Sequence, residues 1–373
     1  MNITFLIGNG FDRNLGLKTA YSDFVKYYKN TEAQTEVLQN FRNYIKDNEE
    51  LWSAAEIALG QYTNQFEKGE AEAFSECQRD FCEFLAEYLK QEEKHINYES
   101  SKESILKAFT RLNQITQSFP TQERDTINTI FNNHRAEDKV FNFICFNYTP
   151  TLKECINILK ENPETLGSHK HINRVYNHTI EEICHVHGTV DKEMVFGVND
   201  ESQIEKEEVF DCEDGDLYKN LLIKIQANAS YLEDTDSTAN RILQNSHLIY
   251  VYGMSIGDTD KLWWDRICKW LNSSSAHHLI VQKYDMPIKS VIPTRYQLSE
   301  RKAKRDITKH SVLDQTHKSI IESRIHITNE NIFDAVKNIC KTKSFRKEKY
   351  IEVLEEVQAE ERLKVLEKEF IHA

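Results

Sequence analysis

Four short strand-like segments, each followed at once by glycine or polar residues, constrain the fold of this chain more than any other feature. They cover residues 2–7, 140–146, 181–187 and 247–252. Short runs rich in branched and aromatic residues are typical of buried strands. Stretches with helical periodicity separate them, and such alternation predicts a mostly parallel sheet with helices on both faces. We therefore expect an α/β fold of the Rossmann-like type.

The remaining pattern completes this sheet and adds two further parts. More strands are predicted at 195–200, 277–284 and 324–328, and helices at 151–160, 217–232, 237–246, 261–271 and from Glu330 onward. Apolar residues three and four apart indicate helices almost throughout 31–138. The predicted organisation is a Rossmann-like domain from residues 1–30 and 139–340, an α-helical insertion at 31–138, and a charged helical tail at 341–373. The narrow apolar stripe of the tail suits docking on the body or pairing with a second copy.

Composition excludes several classes of protein. The chain has 373 residues and a formal net charge of −13, which disfavours a nucleic-acid-coating protein because such binding needs clustered Lys and Arg. Eight scattered cysteines without a C-x-x-C pair indicate reduced thiols in a cytoplasm. No segment has the ~20 apolar residues that span a bilayer, and none resembles a secretion signal. We expect a cytoplasmic protein without membrane or nucleic-acid partners.

Polar clusters follow four of the predicted strands, and ligands of open parallel sheets bind beyond the carboxyl ends of the strands. The candidate residues in these clusters are Gly8, Asn9, Gly10, Phe11, Asp12, Asn147, Tyr148, His187, Gly188, Gly253, Ser255, Asp258 and Asp260.

The first cluster is a glycine turn after the first strand. Because glycine lacks a Cβ, backbone amides of a turn at Gly8 and Gly10 can approach a phosphate closely, and a following helix points its positive end at the same place. A plain tight turn explains the same residues, since the third glycine of the dinucleotide fingerprint is missing. Asp12 either caps the next helix or contacts a sugar hydroxyl or the nicotinamide side of a ligand.

The other candidates also have two interpretations each. Asn147 holds a ribose hydroxyl or a water, or it caps the following helix. His187 is a general base, or a satisfied histidine at a strand end. Ser255 and Asp258 bind sugar hydroxyls, whereas Asp258 or Asp260 could instead cap the next helix.

A metal site is the main chemical alternative. His169, His171, His178, His185 and His187 lie within a short span, and two histidines on one strand face can share a metal. The first three fall in a predicted loop, and no carboxylate or cysteine lies at a familiar ligand spacing, so no metal is expected. Glu56, on the same helical face as Trp52, is interpreted as a carboxylate at the edge of an apolar stripe.

Several segments together resemble the bacteriophage abortive infection AbiH family. They are FLIGNGFDRNLGLKTAYSDF, LWSAAEIALG, CFNYTPTL, HVHG and VYGMSIGDTDKLWW, and the resemblance extends from Met1 to about Ile339. That family in turn is distantly similar to the sirtuin-like NAD-binding domains of antiphage NADases. The resemblance implies that Asn147 and His187 assist cleavage of the nicotinamide glycosidic bond. The sirtuin-like Asn-Tyr-Asp is Asn147, Tyr148 and Thr149 here, and the Gly-Ala-Gly turn has Asn9 at its centre.

The resulting hypothesis is an antiphage protein that binds NAD or a related nucleotide and hydrolyses it when phage infection triggers it. A phage-derived trigger and a homo-oligomer are the expected partners besides the nucleotide. One alternative is a non-catalytic module that senses a nucleotide or a phage component. Another is a metal-dependent nuclease, which the acidic chain without a dense carboxylate cluster disfavours.

Overall fold

A computed structural model describes residues 1–229, 234–287 and 293–340 of the protein. It contains one seven-stranded sheet in the order β3-β4-β2-β1-β5-β6-β7. All neighbouring strands are parallel except β3 and β4, which form an antiparallel hairpin. The strands are β1 (Asn2–Ile7), β2 (Lys139–Cys145), β3 (Ser168–His171), β4 (Arg174–His185), β5 (Leu248–Tyr252), β6 (His278–Gln282) and β7 (Ile325–Thr328).

Strand β1 lies at the centre of the sheet. Ile3 is paired with Phe141 of β2 on one side and with Leu248 of β5 on the other. After β1, the chain forms β2, β3 and β4 on one side of it. It then forms β5, β6 and β7 on the other side. The direction in which successive strands are added therefore reverses beside β1. Open α/β sheets form their ligand crevices at such a reversal.

Helices cover both faces of the sheet and also form a separate layer. The α-helices are α1 (Gly10–Leu15), α2 (Tyr21–Tyr28), α3 (Glu36–Asp47), α4 (Ala55–Tyr62), α5 (Ala71–Glu93), α6 (Tyr98–Thr110), α7 (Thr121–Asn133), α8 (Thr151–Lys160), α9 (Gly215–Leu222), α10 (Lys224–Ala229), α11 (Thr235–Gln244), α12 (Lys261–Ser273), α13 (Pro293–Lys309) and α14 (Gln315–Glu322). The predicted α/β class with a mostly parallel sheet flanked by helices is confirmed. None of the helices within the described ranges has both the length and the apolar composition needed to cross a membrane.

Alternation along each strand divides the core of the sheet into two. Phe5 and Ile7 face a cluster completed by α6, α7 and α8, whereas Leu6 faces a cluster completed by α11, α12 and α13. Successive side chains of a strand point to opposite faces, so the consecutive apolar residues Phe5, Leu6 and Ile7 are buried on both faces of the sheet.

A third hydrophobic cluster lies away from the sheet. It joins α2, α3, α4 and α5, and its centre is an aromatic group that includes Phe41, Trp52 and Phe81. Tyr148, in the loop after β2, also belongs to this cluster. This loop therefore connects the helical layer to the sheet. The division of the chain into a domain, an insertion and a tail stays a prediction.

Four local predictions were wrong. Residues 195–200 form no strand, because only Val198 makes a single bridge to Ile223. That bridge also interrupts the helix predicted at 217–232, since α9 ends at Leu222 and a separate helix, α10, begins at Lys224. Residues 168–171, expected in a loop, form β3, and β4 begins at Arg174 rather than near 181.

The fourth concerns the helix predicted from Glu330. The described part of that segment contains only a short 3-10 turn, Asp334–Val336, and its backbone instead bonds to the end of α1. The amides of Asn338 and Cys340 donate to Asn14 O at 2.8 Å and Leu15 O at 3.0 Å. The predicted charged tail at 341–373 lies outside the described residues.

Candidate functional site

A cleft of about 700 Å³ opens at the carboxyl ends of the parallel strands, beside the reversal at β1. This volume is typical of small-molecule sites. Loops after β1, β2, β4, β5 and β6 line one wall, and helices of the separate layer line the other. Ten of the predicted site residues lie on the first wall: Gly8, Asn9, Gly10, Asp12, Asn147, Tyr148, His187, Gly253, Ser255 and Asp260.

The glycine turn is a close contact between two strand ends. The amides of Gly8 and Gly10 donate to Tyr252 O at 2.9 Å and to Gly253 O at 2.8 Å. A Cβ on Gly10 would lie 2.4 Å from the Cα of Gly253, and Gly253 itself has a φ of +67°. The glycines are thus required for packing, and the two amides expected to cradle a phosphate are already used. Asn9 holds the next loop, with its Nδ2 donating to Thr19 O at 2.9 Å.

Asp12 is a fully buried carboxylate under the loop that follows β2. Thr149 Oγ1 donates to Asp12 Oδ2 and Thr151 Oγ1 donates to Asp12 Oδ1, each at 2.5 Å. Burial raises the pKa of Asp12 to about 6, and the two threonine bonds limit the rise. Asp12 therefore anchors the loop that carries Asn147.

Asn147 presents a buried side chain to the cleft without a hydrogen bond to protein. It is 5% exposed, and its side-chain amide lies close enough to the Asp12 carboxyl for a weak hydrogen-bond-like contact that lowers the pKa of Asp12. Yet neither its Nδ2 nor its Oδ1 makes a hydrogen bond to the part of the chain that the structure describes. Buried amides are almost always satisfied, so an unsatisfied one in a cleft is suited to a ligand or a water. Pro150, rather than Asn147, precedes α8.

His187 lies next to Asn147 along the same wall. It follows the end of β4, is 8% exposed, and its ring lies 6.0 Å from that of Phe146 and 6.2 Å from that of Tyr148. Its Nδ1 has no hydrogen-bond partner among the described residues. Burial, together with the charge of Lys224, holds the pKa of His187 well below its usual value. The imidazole is therefore neutral near pH 7.

A buried ion pair forms the opposite wall. Lys224 Nζ donates to Glu56 Oε2 at 2.7 Å, and the hydroxyls of Tyr21 and Tyr148 donate to Glu56 Oε1 at 3.0 and 3.2 Å. Glu56 and Lys224 are 9% and 3% exposed. Glu56 is therefore at the centre of a polar group in the cleft, and the expectation of a carboxylate at the edge of an apolar stripe was wrong.

Asp260 is half-buried and faces the same space. Ser255 Oγ donates to its Oδ2 at 2.6 Å. Burial raises the pKa of Asp260 to about 6, to which the charge of Glu56 adds, while the bond from Ser255 lowers it. Two of the cleft carboxyls, Asp12 and Asp260, thus titrate within about a unit of neutral pH.

Three predicted ligand residues lie outside the cleft. Phe11 is fully buried and packs edge-on against Phe333, with ring centroids 5.1 Å apart. Gly188 forms a tight turn, where a Cβ would lie 2.0 Å from Glu193 O. Asp258 points to solvent, with 76% of its side chain exposed. None of the three is placed to contact a ligand in the cleft.

The histidines of the metal alternative do not converge. His169 Nδ1 and His178 Nε2 are 3.0 Å apart on the β3–β4 hairpin, and His185 Nδ1 lies 3.2 Å from Asn147 O. Within residues 1–229, 234–287 and 293–340, no group of three or more His, Cys, Asp or Glu side chains is placed to hold a metal.

Sequence reasoning missed Tyr21, Lys224 and Arg13 as cleft residues. A polar residue inside an apolar helical pattern is the one available signal, and it applies to Lys224, which follows Leu222 and Ile223. Tyr21 and Arg13 carry no comparable signal, because tyrosine and arginine at helix starts are ordinary surface residues.

Comparison with known proteins finds a match at the level of a family. No curated protein and no solved structure matches the chain. A family model described as bacteriophage abortive infection AbiH matches residues 4–282 of the 373. The matched region runs from Thr4 in β1 to Gln282 at the end of β6 and contains all of the cleft residues named above. The chain belongs to the bacteriophage abortive infection AbiH family.

Proposed function

We propose that the cleft binds NAD or a related adenine dinucleotide and hydrolyses its nicotinamide glycosidic bond during an antiphage response. The family supports the antiphage setting, and a mostly parallel sheet with its cleft at the carboxyl ends of the strands supports a nucleotide ligand. One observation carries the proposal. The Asn147 amide and the His187 Nδ1 are buried, lie in one cleft and have no hydrogen-bond partner in the described chain.

The reaction needs little from the protein except binding, orientation and one proton acceptor. NAD⁺ and water give ADP-ribose, nicotinamide and a proton, as the bond between the ribose carbon and the ring nitrogen breaks and a bond to water oxygen forms. Asn147 orients the ribose or the attacking water through its free amide. His187 accepts the proton that the water loses, which its neutral imidazole permits.

The remaining wall residues support these two. Asp12 fixes the loop of Asn147 through Thr149 and Thr151. Tyr148, next to Asn147 in sequence, is held by Glu56, so two buried carboxylates hold the segment that directly follows Asn147. Such support fixes a site within the narrow range of geometry that catalysis requires.

The direct test is turnover by the purified full chain. Wild type, His187→Ala and Asn147→Ala are incubated with NAD, and nicotinamide is followed by chromatography, with and without lysate of phage-infected cells as a source of trigger. We expect nicotinamide release by the wild type, and a loss of about 100-fold or more in each variant. His171→Ala, on the sheet edge away from the cleft, is the matched control and should keep the wild-type rate.

Other outcomes identify the alternatives. NAD-induced thermal stabilisation without product, and phage protection that does not depend on His187, would show a non-catalytic sensing module. Activity on nucleic acid that a chelator removes would show a metal-dependent nuclease. No turnover under any activating condition would exclude the proposed hydrolysis.

A further inference from the structure

The cleft contains a cation that the proposed function does not use. Three basic residues line it: Arg13, Lys224 and Lys283. Lys224 is bound to Glu56 and Lys283 to Asp285, so both charges are already compensated. Among the described residues, Arg13 has no carboxylate within ion-pair distance, and its side chain is exposed.

Arg13 lines the cleft just after the glycine turn along the chain. It is three residues after Gly10, on α1. In the turn expected to bind phosphate, the amides of Gly8 and Gly10 already donate to Tyr252 O and Gly253 O. The neighbouring Asn9 side chain is occupied by Thr19. A guanidinium supplies five N–H donors in a fixed planar fork, which matches the geometry of phosphate oxygens.

None of the described carboxylates on the cleft lining forms an ion pair with Arg13. Asp12, also on α1, is fully buried and is bonded to two threonines. Glu56 and Asp285 are each paired with a lysine, and Asp260 accepts a bond from Ser255. Asp306 of α13 is the other carboxylate on the lining. An anionic group entering the cleft therefore meets one cation that lacks a counter-ion.

We infer that Arg13 binds the pyrophosphate of the nucleotide and that this side-chain contact replaces the backbone cradle expected from the glycine turn. The inference rests on the proposed function, because it names the residue that recognises the anionic part of the same ligand. Binding oriented in this way directs the phosphates toward α1 and the glycosidic bond toward Asn147 and His187. Arg13 is a binding residue and takes no part in the proton transfer.

The test measures binding separately from turnover. Affinities of the full chain for NAD and for ADP-ribose are determined by calorimetry, and nicotinamide riboside serves as the phosphate-free probe. The variants are Arg13→Gln, Arg13→Lys and the control Lys18→Gln, which removes one exposed charge from a residue that does not line the cleft.

We expect Arg13→Gln to weaken NAD and ADP-ribose binding at least 10-fold, which corresponds to about 1.4 kcal/mol. Arg13→Lys should recover part of the affinity, because lysine keeps the charge and loses the fork. The rate at which nicotinamide riboside is cleaved should be unchanged in Arg13→Gln. Wild-type affinity should fall as salt rises, and this dependence should weaken in Arg13→Gln.

Three results separate the two proposals. Equal NAD affinity in Arg13→Gln and wild type, or an equal loss in Arg13→Gln and Lys18→Gln, would overturn the role of Arg13 and leave the hydrolysis standing. Arg13-dependent binding of ADP-ribose without nicotinamide release would support the role of Arg13 and overturn only the hydrolysis. A wild type that binds neither NAD nor ADP-ribose would overturn both.

Discussion

Lys224 donates to Glu56 at 2.7 Å and thereby connects α10 to α4 across one wall of the cleft. Both side chains are almost fully buried. In a buried ion pair each charge has lost its hydration, and the attraction between the two charges offsets that desolvation free energy. Removal of one partner leaves the other charge buried without compensation.

We therefore expect Lys224→Met to reduce the free energy of unfolding by about 3–5 kcal/mol, because Glu56 would remain buried without its counter-charge. The double variant Lys224→Met/Glu56→Gln should recover much of this loss. Urea unfolding followed by circular dichroism measures both. Lys269→Met, which removes one member of the more exposed pair with Asp265, is the control and should change stability little. A double variant as unstable as the single one would contradict the argument.

The second prediction concerns the pH dependence contributed by Asp12. Its pKa is raised from 3.8 to about 6 in the folded protein, so the folded state binds the proton more tightly than the unfolded state. The contribution of Asp12 to stability is therefore largest at low pH and falls as pH rises through the folded pKa. Between pH 5 and pH 7 it should decrease by about 1 kcal/mol, since one pKa unit corresponds to about 1.4 kcal/mol.

Asp12→Asn resembles the protonated acid and should flatten this part of the profile. The measurement is the free energy of unfolding of wild type and variant at several pH values, and the difference between the two curves isolates Asp12 from other titrating groups. A constant difference from pH 5 to pH 7 would show that the pKa of Asp12 is not raised.

The third prediction tests the contact between the two glycine turns. Gly253→Ala should destabilise the protein by more than about 2 kcal/mol, because a Cβ would lie 2.6 Å from the Cα of Gly10 and the φ of +67° disfavours alanine. Gly257→Ala in the same loop is the matched control. Its Cβ would have no neighbour closer than 3.6 Å, so thermal unfolding should remain near that of the wild type.

The fourth prediction concerns the pH dependence of NAD hydrolysis. Because burial and the charge of Lys224 hold the pKa of His187 well below 6.5, the base is already neutral at pH 7. The rate of nicotinamide release should thus stay level from pH 8 down to 6.5, and any loss due to protonation of His187 should begin below that value. Circular dichroism at each pH controls for unfolding. A decline that begins above pH 7 would contradict a depressed pKa of His187.

Local pattern was sufficient to predict every described strand of the sheet except β3. The buried strands, the alternation with helices, and the positions of Asn147 and His187 follow from residues close together in sequence. The packing role of Gly10 could not be predicted from local pattern. Gly10 packs against Gly253, which is distant from it in sequence. Likewise Lys224 enters the cleft because the backbone of Val198 pairs with Ile223 and ends α9. Long-range pairing of this kind overrides local helical preference.

The central position of β1 has a consequence for synthesis on the ribosome. Its first neighbour, β2, is made more than a hundred residues later, and its second neighbour, β5, is complete only at Tyr252. Non-local pairing of this kind forms late, and domains made from the N-terminus wait for their distant strands. A nascent chain that ends before Gly253 lacks the partner of its own glycine turn and one wall of the cleft. Whatever the cleft does in a bacterial cell, an incomplete translation product cannot do it.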